Sequence, residues 1–555
     1  MKYQNLKKLV ACLLAGAMTL GCLTACGNEG KEETKQSTTQ ETKQSEVSKE
    51  SESVAQTEEG IEVVYPMKEK VKLTLAVKDD ANVTAIAKNI GENEFGKAWQ
   101  EATGVELEVI SYANNDALTL MLSSGELPDI IWGYNFNSYP GGVSTAIEDG
   151  IIEPIGNYLE YAPDIATIMN ENDLYRKTMS TDDGVIWGAP MLRDDDYLCA
   201  SSGLMIRADW LKDLKLDMPE TPDDLYKVLK AFKEEKGAEV PFSLVRVFLT
   251  SHCVSQGFIT SGFGLAKTDW YVDNGEVHYG YAEKEFKDVL VWLKKLYDEE
   301  LLDPNFQTVD TATANANFLN GKSGVTYGAV GSGLGTYLST ETEDPNFAVA
   351  GFGPLVANKG DTALCTAYSP RIVVEGAVIT TACKNKEAAA MFLNYGYTEE
   401  GKLLFNFGTE GKSYTMVNGV PTYTEEITNN PNMTKVQALS YWATPLANGA
   451  YVQMKDYMEQ YNGLPEQVAA ISSWCDSSSG EHHLPGVIRS GEDATEFSKI
   501  MGDIGTYAFE MMLKYITGLE DLDKFETEYL PTLEEMGMAR AIEIQQKALD
   551  EFNAR

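Results

Sequence analysis

The chain has 555 residues, a formal net charge of −39 and hydrophobic side chains at 43% of its positions. A protein this acidic repels phosphate backbones, so the composition argues against a nucleic-acid partner. About 490 residues remain once the amino-terminal segments described next are set aside, which is too many for one hydrophobic core. The length therefore predicts two lobes or domains.

The amino terminus has the pattern of a bacterial export signal. Three lysines within the first eight residues precede an apolar run over residues 9–20, which is too short for a permanent membrane span. The sequence Leu23-Thr24-Ala25-Cys26 then resembles the lipobox of bacterial lipoproteins, in which the cysteine is acylated and the chain is cut before it. The alternative is an ordinary secretory peptide that is cleaved after Ala25.

These features predict a signal peptide over residues 1–25 and lipid attachment at Cys26. The acyl chains would hold the protein on the extracellular face of the cell membrane. Residues 26–62 are mainly Glu, Lys, Ser, Thr and Gln, and they predict a disordered tether because they offer almost no large apolar side chain to bury.

The first predicted elements alternate between strand and helix. Apolar–polar alternation predicts strands over 71–77 and 105–109, and helical spacing predicts helices over 95–102 and 116–124. A short buried strand over 129–132 follows. This βαβαβ order is typical of an open α/β sheet, whose ligands bind beyond the carboxyl ends of the strands.

The rest of the chain is also mainly α/β in pattern. Thr221 followed by Pro222 predicts the capped start of a helix. The later predicted elements are helices over 222–234, 286–296, 386–395 and 541–552 and a strand over 372–380.

Several motifs, spread in order along the chain, resemble those of the extracellular solute-binding proteins of the family 1 type, and in particular its LplA-like subgroup. The matching segments are Leu127-Pro128-Asp129-Ile130, the residues from Asp183 to Pro190, those from Leu204 to Leu211, those from Phe318 to Gly324, those from Asn406 to Tyr414, and the ending around Gly518 and Phe525. The resemblance implies a two-lobed periplasmic-binding-protein-like fold of type II. Each lobe would be an open mixed sheet flanked by helices, followed by a helical carboxyl-terminal region.

By the same resemblance, residues 63–195 with 368–445 form the first lobe, and residues 196–367 with 446–555 form the second. Many subgroup members carry a calcium-loop-like insertion after the helix that corresponds to 222–234. This chain has Lys-Glu-Glu-Lys-Gly-Ala-Glu-Val at residues 233–240, so we predict no such ion site.

A sugar site needs flat apolar faces for the rings together with carboxylates, amides and Arg side chains for the hydroxyl groups. The strongest candidates are Trp132 and Tyr134, because the predicted sheet carries both to its ligand-binding edge. Other aromatic residues lie at strand ends or in irregular segments, and each could equally be a core residue. These other candidates are Trp187, Trp270, Trp442 and Trp474.

Charged candidates lie near the predicted crossings between the lobes. Arg193 and Asp194 begin a cluster that could bind sugar hydroxyls or could be a solvated loop, and Arg371 is a weaker candidate.

The sequence predicts no cofactor and no metal. Two segments resemble the end of a Walker loop, Gly321-Lys322-Ser323 and Gly411-Lys412-Ser413, but both lack the required upstream glycine. The adjacent pair His482-His483 does not have the spacing of a zinc-binding helix.

The resemblance implies a monomeric lipoprotein that binds a small solute, most simply an oligosaccharide, and passes it to the permease of an ABC importer. Two alternatives stay open at this point. One is a secreted glycoside hydrolase, because aromatic clefts and paired carboxylates are common to both classes. The other is an importer subunit that binds peptides.

Overall fold

The computed structural model describes residues 61–446, 448–475, 477–489 and 491–555. The predicted signal peptide, the acylation site Cys26 and nearly all of the predicted tether lie outside the described residues.

The described strands form two sheets and two separate hairpins. They are β1 (Val71–Lys78), β2 (Val105–Tyr112), β3 (Ile130–Trp132), β4 (Ile152–Glu153), β5 (Ala189–Arg193), β6 (Ser202–Arg207), β7 (Trp270–Asp273), β8 (Glu276–Tyr279), β9 (Val325–Ala329), β10 (Val349–Phe352), β11 (Ile372–Thr380), β12 (Tyr414–Val417), β13 (Val420–Tyr423) and β14 (Val452–Gln453).

The described α-helices surround these strands. They are α1 (Ala81–Thr84), α2 (Glu94–Thr103), α3 (Asn115–Ser124), α4 (Gly142–Glu148), α5 (Pro163–Glu171), α6 (Asp173–Met179), α7 (Ala208–Leu214), α8 (Pro222–Lys236), α9 (Arg246–Phe248), α10 (Phe286–Asp298), α11 (Thr311–Leu319), α12 (Thr336–Ser339), α13 (Lys386–Asn394), α14 (Glu399–Phe407), α15 (Glu425–Thr428), α16 (Lys435–Trp442), α17 (Lys455–Tyr461), α18 (Pro465–Cys475), α19 (Ser479–His482), α20 (Gly491–Thr517), α21 (Leu530–Glu535) and α22 (Met538–Ala554).

The larger sheet has seven strands in the order β14-β5-β11-β3-β1-β2, with β4 paired to β11. Strand β1 runs parallel to both β2 and β3, whereas β11 runs antiparallel to β3 and β5. The predicted βαβαβ start is confirmed, and the later predicted helices and strand also form within a few residues of their predicted bounds.

Local capping explains where the early helices begin and end. The Asn93 side chain accepts a hydrogen bond from the Gly96 amide at 2.8 Å and so satisfies one of the free amides at the start of α2. Gly104 ends that helix with a φ of 78°, a left-handed conformation that favours glycine. Thr221 caps α8 in the same manner through the Asp224 amide, as the sequence predicts.

The smaller sheet has three antiparallel strands in the order β10-β6-β9. Arg207 ends β6 with a fully buried side chain, which forms a bidentate pair with Asp209 at 2.8 and 2.6 Å and a further contact with Asp344 at 2.7 Å. The guanidinium also lies 4.5 Å from the centroids of the Trp210 and Phe347 rings. The family-like segment from Leu204 to Leu211 therefore holds a buried ion pair that anchors α7 to this sheet.

The buried apolar residues fall into two clusters. The first cluster contains the core of the seven-stranded sheet. The second cluster contains the three-stranded sheet with α8, α10, α20 and the start of α22. Buried residues between Phe407 and Ala443 pack into the second cluster, and Ala450, Tyr451 and Val452 pack into the first. The β12–β13 hairpin lies against α14 and α17. The lobe division, 63–195 with 368–445 against 196–367 with 446–555, stays a prediction.

Among the described residues, we find no helix whose length and hydropathy would allow it to span a bilayer.

Candidate functional site

A pocket of about 240 Å³ opens at the carboxyl edge of the seven-stranded sheet. Its walls come from the ends of β1, β2 and β3, from α1 and the segment after it, and from α16 and the segment that follows it. The lining residues are Val77, Lys78, Asp79, Asp80, Asn82, Val83, Thr84, Asn89, Ile90, Ser111, Trp132, Gly133, Leu439, Ser440, Thr444, Pro445, Leu446 and Asn448. The pocket thus lies at the edge where open parallel sheets bind ligands.

The register of the parallel strands aligns the carboxyl ends of β1, β2 and β3. Val77 on β1 pairs with Trp132 on β3 and with Ser111 on β2, so these three residues form a row across the sheet. Gly133 then turns the chain away with a φ of 77°, while its amide donates to the Gly376 carbonyl at 2.7 Å. Parallel pairing therefore brings the three strand ends of the pocket together.

Trp132 forms an inner wall of the pocket. Its side chain is 2% exposed, and the indole Nε1 donates to the Asn448 carbonyl at 2.6 Å. The ring centroid lies 5.2 Å from that of Trp99. Gly449 packs so closely that a Cβ there would lie 1.9–2.3 Å from atoms of the indole ring. Trp132 therefore lies at the carboxyl edge of the sheet, as predicted, with its ring as a fixed wall and not an open platform. Contact between Trp132 and a ligand stays a prediction.

Polar side chains of the pocket fall into two groups. Asp80 is engaged, because its Oδ1 accepts from the Asn82 and Val83 amides at 2.7 and 3.1 Å and so caps α1. By contrast, hydrogen bonds and ion pairs among the described residues leave the side chains of Asp79, Asn82 and Ser111 unengaged. Carboxylate, amide and hydroxyl groups in this state can bind the hydroxyl groups of a ligand.

Tyr134 lies one residue beyond the turn at Gly133. It is 8% exposed and packs edge-to-face on Phe136 with centroids 4.9 Å apart, and burial raises the pKa of its phenol. The neighbouring Asn135 donates from Nδ2 to Glu375 Oε1 at 3.1 Å. Glu375 therefore places a further carboxylate close to this edge.

Arg193, Asp194 and Arg371 lie where the chain crosses between the two cores. The Arg193 guanidinium donates to the Pro370 carbonyl. Arg371 donates to Asp196 Oδ1 at 2.7 Å and to the Asp194 carbonyl at 3.0 Å, and Asp194 Oδ1 accepts from the Lys455 amide at 2.8 Å. Burial raises the pKa of Asp194 despite that hydrogen bond. These side chains tie the crossing segments together and do not line the pocket.

The remaining tryptophan candidates do not come together at the pocket. Trp187 lies within the first core cluster, and Trp474 is 0% exposed, with its Nε1 donating to the Leu204 carbonyl at 3.2 Å. Trp270 packs between Tyr279 and Phe497 in the other core. Trp442 is half-buried at the end of α16, next to the segment that lines the pocket. A ligand contact by any of the four stays a prediction.

The polar side chains of the pocket were not among the candidates predicted from the sequence. Asp79 and Asn82 directly follow the first predicted strand, so the same edge argument that selected Trp132 could have selected them. Ser440 and Asn448 are more than 300 positions away in the sequence from β3. Nothing in their local sequence indicates that they meet this sheet.

Within the part of the chain that the structure describes, no group of three or more His, Cys, Asp or Glu residues is placed to hold a metal ion.

Residues 83–403 match the family model described as bacterial extracellular solute-binding protein. This match covers more than half of the chain, and the chain therefore belongs to that family.

Two relatives illustrate the family. The chain is 29% identical to lipoprotein LipO of Bacillus subtilis over 349 residues, which are 61% of this chain and 66% of LipO. It is 22% identical to the fructooligosaccharide ABC transporter substrate-binding protein FusA of Streptococcus pneumoniae over 516 residues, which are 89% of this chain and 92% of FusA. This chain thus spans about two thirds of the length of LipO and nearly all of FusA.

Solved structures with a similar fold are also known. The alginate-binding protein AlgQ2 superposes with a TM-score of 0.64 at 24% identity, covering 88% of this chain and all of that one. An HMO-binding solute-binding protein from Bifidobacterium longum infantis gives 0.69 at 18% identity, covering 87% and 99%. The fold is therefore the two-lobed periplasmic-binding-protein-like α/β fold that the motifs imply.

Proposed function

We propose that this protein captures an oligosaccharide outside the cell membrane and delivers it to the permease of an ABC importer. One observation carries the proposal: a pocket at the ligand-binding edge of the sheet combines an aromatic wall with polar side chains that have no partner in the described structure. The names of several relatives point to the same ligand class, namely fructooligosaccharide, alginate and polygalacturonan.

The mechanism that we propose is lobe closure without chemistry on the solute. By the predicted division, 63–195 with 368–445 against 196–367 with 446–555, most of the residues that line the pocket belong to the first lobe. A ligand seated there would contact the second lobe after closure, and binding would shift the open–closed equilibrium by the difference in affinity. The permease would then recognise the closed form of a monomeric binding protein.

Binding can be tested with the full chain and a panel of neutral and acidic oligosaccharides, simple sugars and peptides. A ligand at about 100 times its Kd should stabilise the protein by about 2.7 kcal/mol and raise its Tm without being consumed. The variant Ser111→Trp fills the pocket and should abolish the shift. Ser498→Trp, at an exposed position on α20, is the matched control. Absence of any ligand, stabilisation by peptides alone or turnover of a glycan would contradict the proposal.

We also propose that acylation at Cys26 anchors the protein on the extracellular face of the membrane. Cys26→Ser should move the protein from the membrane fraction to the medium or the soluble fraction of intact cells. Recovery of both forms in the same fraction would contradict the anchor.

A further inference from the structure

The charged side chains around the pocket indicate which kind of solute it can bind. Among the described lining residues, two carboxylates, Asp79 and Asp80, stand against one ammonium, Lys78. Glu375 adds a third carboxylate near the same edge through its contact with Asn135. The local balance is therefore negative, in a protein whose overall formal charge is −39.

The two guanidinium groups at the crossing segments already bind other groups of the protein. Arg371 is ion-paired with Asp196 at 2.7 Å, and Arg193 donates to the Pro370 carbonyl at the crossing. Neither residue lines the pocket. Recognition of a sugar carboxylate normally uses a free, planar guanidinium that binds both oxygens, and the pocket offers none among its described residues.

An uncharged sugar meets a different environment. Asp79 has no hydrogen-bond partner for its carboxylate among the described residues, and its two oxygens can accept two neighbouring hydroxyl groups of a ring. Asn82 and Ser111 can complete the polar contacts while Trp132 closes the apolar side. A uronate in the same position would bring its carboxylate close to that of Asp79, and like charges at such distances repel.

We propose that the pocket selects neutral sugar residues over uronates, with Asp79 as the specificity-determining side chain that accepts their hydroxyl groups. This inference rests on the proposed function, because it names the class of oligosaccharide that the same pocket would take.

Titration calorimetry on the full chain tests the inference with two panels of equal chain length. The neutral panel contains fructo-, malto-, manno- and xylo-oligosaccharides, and the acidic panel contains oligogalacturonates and alginate oligosaccharides. At low salt we expect the best neutral ligand to bind at least about tenfold more tightly than any uronate. Its Kd should change little between low and high salt, because no net charge pair forms.

Asp79→Asn should weaken the best neutral ligand about fivefold to tenfold and reduce the discrimination against uronates, while the Tm of the free protein stays unchanged. Asp288→Asn removes an exposed carboxylate from α10, which belongs to the other core, and is the matched control for net charge. It should leave both Kd values unchanged.

The outcomes separate the two proposals. Uronates that bind as tightly as or more tightly than neutral sugars, or an Asp79→Asn variant with unchanged affinity, would overturn the selectivity and leave oligosaccharide capture standing. If neither panel binds, the proposed function fails, and the selectivity fails with it.

Discussion

The pocket and the crossing segments both carry polar and charged side chains, yet they use these side chains in opposite ways. At the crossing, Arg371 donates to Asp196 and to the Asp194 carbonyl, and Asp194 accepts from the Lys455 amide. In the pocket, the side chains of Asp79 and Asn82 have no such partner among the described residues. A polar cluster whose bonds are satisfied internally holds the fold, whereas one whose bonds are left open can bind a ligand.

The wall of the pocket can be disrupted at Gly449. In Gly449→Ala, the new Cβ would lie 1.9–2.3 Å from the indole ring of Trp132, at a φ of 143° that disfavours any side chain. Overpacking together with backbone strain should lower the free energy of unfolding by about 3 kcal/mol and abolish ligand binding. Denaturant unfolding and calorimetry measure the two effects.

Gly486→Ala is the control for Gly449→Ala, because a Cβ at Gly486 meets no heavy atom within 4 Å. If Gly449→Ala were as stable as Gly486→Ala, the tight contact between Gly449 and Trp132 would not exist in solution.

The second test concerns pH and a histidine beside the crossing. His483 packs edge-to-face on Tyr368 with centroids 5.5 Å apart, and burial lowers its pKa from 6.5 to about 4. Because the folded state disfavours the charged form, this stabilising contribution is present above pH 6.5 and is lost as the pH falls towards 4. After allowance for partial exposure of the ring, we expect a loss of about 1–2 kcal/mol over this window.

The His483→Gln variant does not titrate at this position, so its Tm should fall less steeply between pH 6.5 and 4 than that of the native protein. His252→Gln removes another half-buried histidine and is the control. Equal slopes for the native protein and His483→Gln would show that His483 is accessible to protons in the folded state.

The third test removes one open hydrogen-bonding group from the pocket. Asn82→Ala should weaken ligand binding by about 1 kcal/mol, or roughly fivefold, because one hydrogen bond to the ligand is lost. The Tm should not change, since no described contact of the Asn82 side chain supports the fold. A large loss of stability with unchanged affinity would instead assign Asn82 to the structural group.

Features that depend on neighbouring residues could be predicted from the sequence, whereas contacts between residues far apart in the sequence could not. The parallel start of the sheet and the position of Trp132 follow from local periodicity and from a general rule about strand ends. The engagement of Arg371 could not be predicted, because its partners Asp194 and Asp196 are about 175 residues away in the sequence. For the same reason the sequence could not show that the Trp132 indole N–H donates to the Asn448 carbonyl. Nor could it show that Trp474 packs against Leu204 and Gly203 in the core.

Substitution of Arg371 tests the structural role of the crossing segments. Arg371→Ala removes an ion pair whose side chains are 35% and 67% exposed, together with the hydrogen bond to the Asp194 carbonyl. Exposed pairs contribute little, so we expect a loss of about 1 kcal/mol or less in the free energy of unfolding. Arg371→Lys should recover part of that loss. Arg371 does not line the pocket, and its hydrogen bonds are to other groups of the protein. Ligand affinity should therefore change by less than about threefold in both variants. A tenfold loss of affinity with native stability would place Arg371 in the binding site and would show that internal bonding does not separate the two regions.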